Sequence, residues 1–395
     1  MSNLLDKYDQ QGNIQMNLTI PIVLFILIAI PYLIYIGFIL KYGRCGSPAK
    51  RKDNRPTISI VIPTYNEEVL IAKKLDNIFK MDYPQELLEV VIIDSSTDGT
   101  REIIEEYRKR SSGIRLITQE RQGLATALNT AYAAALNQIV IKTDCDSMLE
   151  KNALLKVAAD FADPTIGGVT GKQEVINESK VEVGYRSLQS RVQIAESWID
   201  STIIFHGPFS AYRKELIKSV DADSVADDSE LAIKVRKQGY RTIIDPEIIF
   251  YEASQSAFFK RRMQKDRRGK GLIRLLLRHR DVLFNPRFGN YGKLVFPMNY
   301  FMMIFSPYLI SLLFLITIYM LYLFDPIFSA TALILFLIFI YLGQANRLSI
   351  LEPIYSFLDT QISLLVGGLS LIFGKDSNGT WEIDQELRGA YLKHD

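Results

Sequence analysis

The chain has two cysteines and three histidines in 395 residues. Cys45 sits in a basic stretch and Cys145 between two aspartates, so the sequence offers no disulfide framework and no thiolate metal site. Cys145 reads as a small buried filler. His206, His279 and His394 leave little material for a histidine-ligated metal or a Ser-His-Asp hydrolase. Charge of one sign is also lacking: 46 Lys and Arg stand against 44 Asp and Glu, a net charge of +2. Where the charges fall matters more than their sum.

Charge is absent altogether from residues 17–40. Roughly 20 apolar residues are enough to cross a bilayer as a helix, and 48% of the chain is apolar with a mean hydropathy of +0.08. Residues 17–40 therefore read as a transmembrane helix behind an N-terminal tail, 1–16. A cleaved signal peptide fits less well, because Asp6 and Asp9 precede the run and no small-residue cleavage pattern comes after it. Lys41, Arg44, Lys50, Arg51, Lys52 and Arg55 lie directly beyond the run, and the positive-inside rule puts the next segment in the cytoplasm. Residues 41–56 read as a basic linker lying against anionic headgroups.

From residue 57 to about 255 the pattern becomes soluble α/β. Short buried strands are expected at 58–62, 88–93, 114–118 and 138–143, alternating with helices at 67–80, 100–110 and 125–136. Such alternation implies a mostly parallel sheet, which binds ligands beyond the carboxyl ends of its strands. Polar motifs fall at those ends: Pro63-Thr-Tyr-Asn-Glu-Glu68 after the first strand, Asp94-Ser-Ser-Thr-Asp-Gly-Thr100 after the second, and Lys142-Thr-Asp-Cys-Asp-Ser147 after the fourth. If the last motif is extended, Asp144 and Asp146 lie on one face and converge. Two converging carboxylates repel unless a cation lies between them, and hard oxygen ligands suit Mg2+ or Mn2+ together with substrate phosphates. A polar strand end leading into a turn is the simpler alternative.

The order and spacing of these motifs resemble family 2 glycosyltransferases with the GT-A fold, of the membrane-embedded kind that includes hyaluronan, cellulose and poly-N-acetylglucosamine synthases. The resemblance implies a Rossmann-like nucleotide-sugar domain inserted between transmembrane helices. It implies that Pro63, Thr64, Glu67 and Asp94 hold the nucleotide, and that Asp144 and Asp146 hold the metal, with Asp146 the direct ligand. Phe205-His-Gly-Pro-Phe-Ser-Ala-Tyr-Arg213 resembles the acceptor segment of hyaluronan synthases, implying acceptor contacts from Gly207, Pro208 and Phe209; a turn and strand packed under the site is an equal alternative. Ala226-Asp-Asp228 stands where the family has Thr-Glu-Asp, so Asp228 matches the catalytic base, although an aspartate opening a helix, here 230–238, is otherwise a routine cap. Gln264-Lys-Asp-Arg-Arg268 resembles the family's Gln-x-x-Arg-Trp, implying that Gln264 and Arg267 face the diphosphate. Arg268 replaces the tryptophan that supports an acceptor sugar.

That motif lies in residues 260–280, which hold ten Lys or Arg against one acidic residue, Asp266. Residues 256–293 are expected to meet diphosphate with their first half and lie on the membrane with Leu272, Ile273 and 275–277 in the second. Flanking spans argue against nucleic acid. Further spans are expected at 294–324, with Pro297 and Pro307 marking a kink or an interfacial start, and at 326–346. Residues 353–374 form a third C-terminal span or an interfacial helix. In the tail, 375–395, Trp381 is either an interface anchor or part of a gating segment. The expected protein is thus a multi-pass enzyme of the cell membrane with a cytoplasmic catalytic domain. It would move a sugar from a UDP- or GDP-sugar to a lipid or glycan acceptor, by inversion and with Mg2+ or Mn2+. A processive synthase is the alternative, for which a homo-oligomer would supply more helices, and a non-catalytic scaffold a distant third.

Overall fold

The β-branched run after the basic linker forms strand β1 (Ile58–Thr64), and its alternation decides the layering. Ile58, Ile60 and Ile62 point into one apolar cluster and Val61 into another on the opposite face. A strand buried on both faces belongs inside a parallel sheet covered by helices on each side. The computed structural model describes residues 2–176, 180–253, 258–345, 347–374, 388 and 391, so Trp381 and His394 lie outside the described residues.

Helix α1 (Ser2–Tyr42) precedes β1 and continues through the region expected to be an N-terminal tail. After β1 come α2 (Ile71–Phe79), β2 (Leu88–Asp94), α3 (Thr100–Arg110), β3 (Ile114–Thr118), α4 (Leu124–Ala134), β4 (Ile139–Thr143) and β5 (Ser147–Leu149). The chain continues with α5 (Ala153–Asp160), β6 (Ile166–Val175), α6 (Lys180–Ile199), β7 (Phe209–Arg213), α7 (Asp227–Lys237), β8 (Arg241–Glu252) and α8 (Phe258–Arg278). The eight strands form one mixed sheet in the order β3-β2-β1-β4-β7-β6-β8-β5. β3, β2, β1 and β4 are parallel, and β7 enters antiparallel beside β4, pairing Thr143 with Phe209. The chain leaves β1 toward β2 and β3, then returns to place β4 on the other side of β1. The sheet reverses direction of growth there, and the ends of β1 and β4 open the crevice in which such sheets take ligands.

Among the described residues, four helical stretches are long and apolar enough to cross a membrane: Thr19–Tyr42, Tyr291–Phe324, Pro326–Gln344 and Ser349–Ile372. The second has π-helical turns at Tyr291–Val295 and Phe301–Phe305, each with a proline close behind, Pro297 in α9 (Phe296–Tyr300) and Pro307 in α10 (Ser306–Phe324). Proline cannot donate to the carbonyl four residues back and clashes with it, and a widened turn relieves both problems. α11 (Pro326–Gln344) and α12 (Glu352–Ile372) complete the set.

Some residues of the two stretches expected at lipid are docked on protein. In α8, Leu275 and Leu276 are buried with Ile233 of α7 and with Tyr291, Val295 and Phe296 at the start of the second span. Arg51 of the basic linker reaches the sheet, donating from Nε to Asp160 Oδ1 at 2.7 Å and from Nη1 to Glu247 Oε2 at 2.8 Å, and pairing with Asp245. Asp160 and Asp245 are fully buried, and burial pushes the Asp160 carboxyl up to about 8 even beside the guanidinium. Arg51→Met would strand two buried carboxylates, at a cost of about 3 kcal/mol. We expect a clearly lower melting temperature for the purified variant; an unchanged one would mean that the carboxylates find other partners.

Candidate active site

The loops after β1 and β2 are bound to each other by the residue types of their motifs. Asn66 adopts φ 52°, a left-handed conformation that asparagine tolerates. Its Oδ1 accepts from Thr97 N at 2.8 Å, and its own N–H donates to Ser96 Oγ at 2.8 Å. Glu67 N donates to Thr100 Oγ1 at 2.8 Å, and Glu68 Oε2 accepts from Gly99 N at 3.2 Å. Asp94, paired in register with Thr64, accepts at Oδ1 from Thr64 Oγ1 at 2.9 Å and Ser96 Oγ at 2.6 Å. Its Oδ2 faces Arg101 Nε at 3.2 Å. Thr64 and Asp94 are thus neighbours by strand register, fixed before any ligand arrives. Pro63 occupies the strand beside Ile93.

Asp144 and Asp146 are not on a strand. β4 ends at Thr143 and β5 begins at Ser147, so the two aspartates belong to the tight turn between them, closed by Ser147 N donating to Asp144 O at 3.3 Å. Their convergence comes from the turn, and two buried lysines hold it. Lys74 of α2, fully buried, donates to Thr143 Oγ1 at 2.8 Å and to the Ser147 carbonyl, one group on each side of the turn. Burial lowers its pKa to about 8. Lys142, 2% exposed, bridges Asp144 Oδ1 at 2.7 Å and the Gly207 carbonyl at 2.5 Å. Its pKa is raised, because Asp144, Asp227 and Asp228 outweigh the burial that lowers it. Sequence reasoning misses both lysines; a lysine within an apolar strand run, as at Lys142, is the available signal.

Asp228 lies in the first turn of α7, half-buried. Its Oδ1 accepts from Ser229 N at 2.8 Å, and its carbonyl accepts from Tyr212 Oη at 2.7 Å. Ser229 Oγ in turn accepts from Phe205 N at 3.0 Å, so the acceptor-like segment and the start of α7 are clamped together. Burial, then the neighbouring Asp227, pushes the Asp228 carboxyl up to about 7. Gly207 lies between the two halves of the site: a Cβ there would be 3.2 Å from Lys142 Nζ, 3.7 Å from Asp228 Oδ2 and 3.9 Å from Asp144 Oδ2. The Pro208 carbonyl accepts from the buried Thr143 Oγ1 at 2.9 Å, which fixes the residue after Gly207 on the end of β4. Phe209 is fully buried against Phe250, and Arg213 is spent on the carbonyls of Phe161, Asp163 and Ile166. For these two residues the packing alternative describes what is seen.

Gln264 and Arg267 lie on α8, both half-buried, and burial lowers the Arg267 pKa to about 10. α8 is fixed at one end by Arg262 and Lys265 on Asp359 of α12, and at the other by Arg278 on Asp221, Asp223 and Glu230.

The donor set fits a divalent cation that completes its shell from a ligand. Among the described residues no group of three or more His, Cys, Asp or Glu could hold a metal by itself, so Asp144 and Asp146 offer two carboxylates. Burial and Asp144 raise the Asp146 pKa, and Glu67 is pushed up to about 7 by burial, with Asp146 and Asp144 adding to it against the lowering effect of Arg388. Glu67 Oε2 is buried without a hydrogen-bond partner. Such a site is short of positive charge, and hard oxygen donors suit Mg2+ or Mn2+.

A mixed sheet with a carboxylate-bearing turn at its switch point, faced by the acidic start of a helix, is the layout of a GT-A glycosyltransferase domain. Residues 59–221 match the family model described as glycosyl transferase family 2. It is 26% identical over 217 residues to the poly-beta-1,6-N-acetyl-D-glucosamine synthase of Staphylococcus aureus, covering 52% of this chain and 52% of that one. A probable glycosyltransferase of Bacillus subtilis is 26% identical over 262 residues, 62% of this chain and 61% of its own. The chain spans about half the length of the Staphylococcus aureus synthase. Among solved structures, a mannosyltransferase from Pyrobaculum calidifontis in complex with GDP-Man and Mn2+ superposes with a TM-score of 0.73 at 27% identity, covering 91% of this chain and 99% of that one.

Gly207→Ala should place a methyl group against Lys142 and between the two carboxylates. We expect sugar transfer to fall on the order of a hundredfold, the scale of a 1 Å misplacement, with the melting temperature held. Near-normal transfer would show that nothing passes through this opening.

Proposed function

We propose that the chain transfers a sugar, with inversion, from a nucleotide diphosphate sugar to a lipid or glycan acceptor presented at the membrane surface. The observation that carries this reading is Gly207, whose missing side chain leaves Asp228 Oδ2 and Asp144 Oδ2 facing one small opening. Thr64, Glu67 and Asp94, with Pro63 shaping their loop, would hold the nucleotide, and Gln264 and Arg267 would face its diphosphate. Asp146, helped by Asp144, would hold Mg2+ or Mn2+, which when bound neutralises charge on the departing diphosphate. Gly207 and Pro208 would border the acceptor. Asp228 would take the proton from the acceptor hydroxyl as its oxygen bonds to the anomeric carbon. The bond from that carbon to the diphosphate oxygen breaks on the opposite face, and the nucleoside diphosphate leaves with the electron pair. The Lys and Arg residues after the first span support a cytoplasmic catalytic domain.

Similarity along nearly the whole of the mannosyltransferase, whose structure holds GDP-Man and Mn2+, makes GDP-mannose the first donor to test. Similarity to the synthase supports a processive reading, but over only 52% of it, and Arg268 stands where the resemblance calls for tryptophan. The deciding experiment is purified protein in lipid with Mn2+ or Mg2+ and labelled UDP- and GDP-sugars. Label extracted into organic solvent supports single transfer; label in high-molecular-weight material supports a synthase; none in either refutes the reading.

Excess chelator should abolish the reaction, and activity that survives it removes the metal from the mechanism. Asp228→Asn should lower transfer about a thousandfold, within the range for losing a general base, while donor affinity stays within a few-fold. A base must be unprotonated to work. With its pKa raised to about 7, kcat/KM in the wild type should rise tenfold per pH unit below that value and level off above it. A profile flat from pH 5 to 8 would assign the base elsewhere.

A further inference from the structure

The cluster of donor-motif and metal-turn carboxylates contains one cation that no strand or helix of the α/β domain supplies. Arg388 lies beyond the last candidate span, 321 residues from its partner, and its Nη2 pairs with Glu67 Oε1. The residue is 9% exposed, and its Nε and Nη1 are buried with no hydrogen-bond partner among the described residues. Its charge is felt at Asp146 as well as at Glu67.

The placement is anchored by Tyr391. That ring is buried in the main core cluster; its hydroxyl accepts from Ala253 N at 2.6 Å, and its carbonyl accepts from Lys73 Nζ at 2.7 Å. Ala253 comes directly after β8, whose last residue, Glu252, pairs with Ser147 immediately after the metal turn. Tyr391, three residues after Arg388, is thereby fixed beside the end of β8, the strand that pairs with β5.

We propose that Arg388 is a donor-binding residue that takes the diphosphate of the nucleotide sugar in its planar fork. Buried N–H groups without an acceptor are costly to keep. A guanidinium offers donors in a plane that matches phosphate oxygens two at a time. Glu67 occupies one nitrogen and leaves the other two for a ligand that brings its own negative oxygens to Asp146. This assignment rests on the reading of the site as one for a nucleotide diphosphate sugar.

The test is calorimetric binding of GDP, UDP and their monophosphates, with Mn2+, to the full-length protein in lipid, as wild type, Arg388→Gln and Arg388→Lys. We expect the diphosphate to bind about tenfold or more weakly to the glutamine variant and at an intermediate level to the lysine variant, with monophosphate affinity within twofold and an unchanged melting transition. Equal diphosphate affinity in all three proteins overturns the assignment. So does an equal loss for mono- and diphosphates, which would mark a structural role, and so does tighter binding by the glutamine variant, which would make Arg388 a competitor of the donor. A wild type that binds neither diphosphate refutes the reading of the site itself, together with this inference.

Discussion

Crowding of like charge is the constraint on which this site depends. Glu67, Asp144, Asp146, Asp227 and Asp228 are gathered at the switch point of one sheet, and four of them have pKa values raised by burial and by one another. Carboxylates held that closely in a poorly hydrated crevice would protonate or drive the loops apart unless cations lay among them. The fold supplies three: Lys74 under the metal turn, Lys142 between Asp144 and Gly207, and Arg388 over Glu67. Their placement divides the labour. Lys142 engages one oxygen of Asp144 and leaves the other toward the opening, whereas Lys74 spends its protons on groups flanking the turn and none on its carboxylates. The remaining negative charge is what the proposed divalent ion would neutralise.

A second buried carboxylate ties the domain to the membrane helices. Glu196 of α6 accepts from Tyr35 Oη of the first span at 2.8 Å and from Asn299 Nδ2 of the second at 2.6 Å through Oε1, and from Thr202 Oγ1 at 2.7 Å through Oε2. Burial raises its pKa, so removing any one partner leaves a polar group unsatisfied where water cannot replace it. With Arg51 clamped to Asp160 and Glu247, the first span is joined to the sheet at two places. The catalytic domain is built onto its anchors and does not hang from them by a loose linker.

How much of this is legible in the residues alone depends on how local each feature is. Strands β1 to β4 and their helices are legible because both faces of each strand are buried and the motifs mark their ends. The strand at β7 is offered as one alternative for its segment, but its place is not legible, because an antiparallel insertion beside β4 is a pairing of residues some 70 positions apart with no local signature. The convergence of Asp144 and Asp146 is expected from the sequence for the wrong local reason, an extended strand, when a turn pinned by Lys74 produces it. The burial of Leu275 and Leu276 cannot be separated from a lipid-facing pattern, since an apolar stripe on a helix looks the same whether protein or lipid covers it. Arg388 is invisible for the same reason in the extreme: nothing near it in the chain says which residue it will meet.

The pairing of α12 with α8 connects the last candidate span to the helix that carries Asp228. Asp359 lies within the last candidate span, and a carboxylate at membrane depth is expensive unless paired. Its oxygens accept from Arg262 at 2.7 Å and Lys265 at 2.8 Å, both on α8, and neither can move far without exposing it. That locks the basic helix at the membrane boundary and sets Gln264 and Arg267, which share its turns, at the same level. The other end of α8 is bound through Arg278 to Glu230 of α7, the helix that begins with Asp228. One rigid element thus runs from the membrane-facing charges to the proposed base.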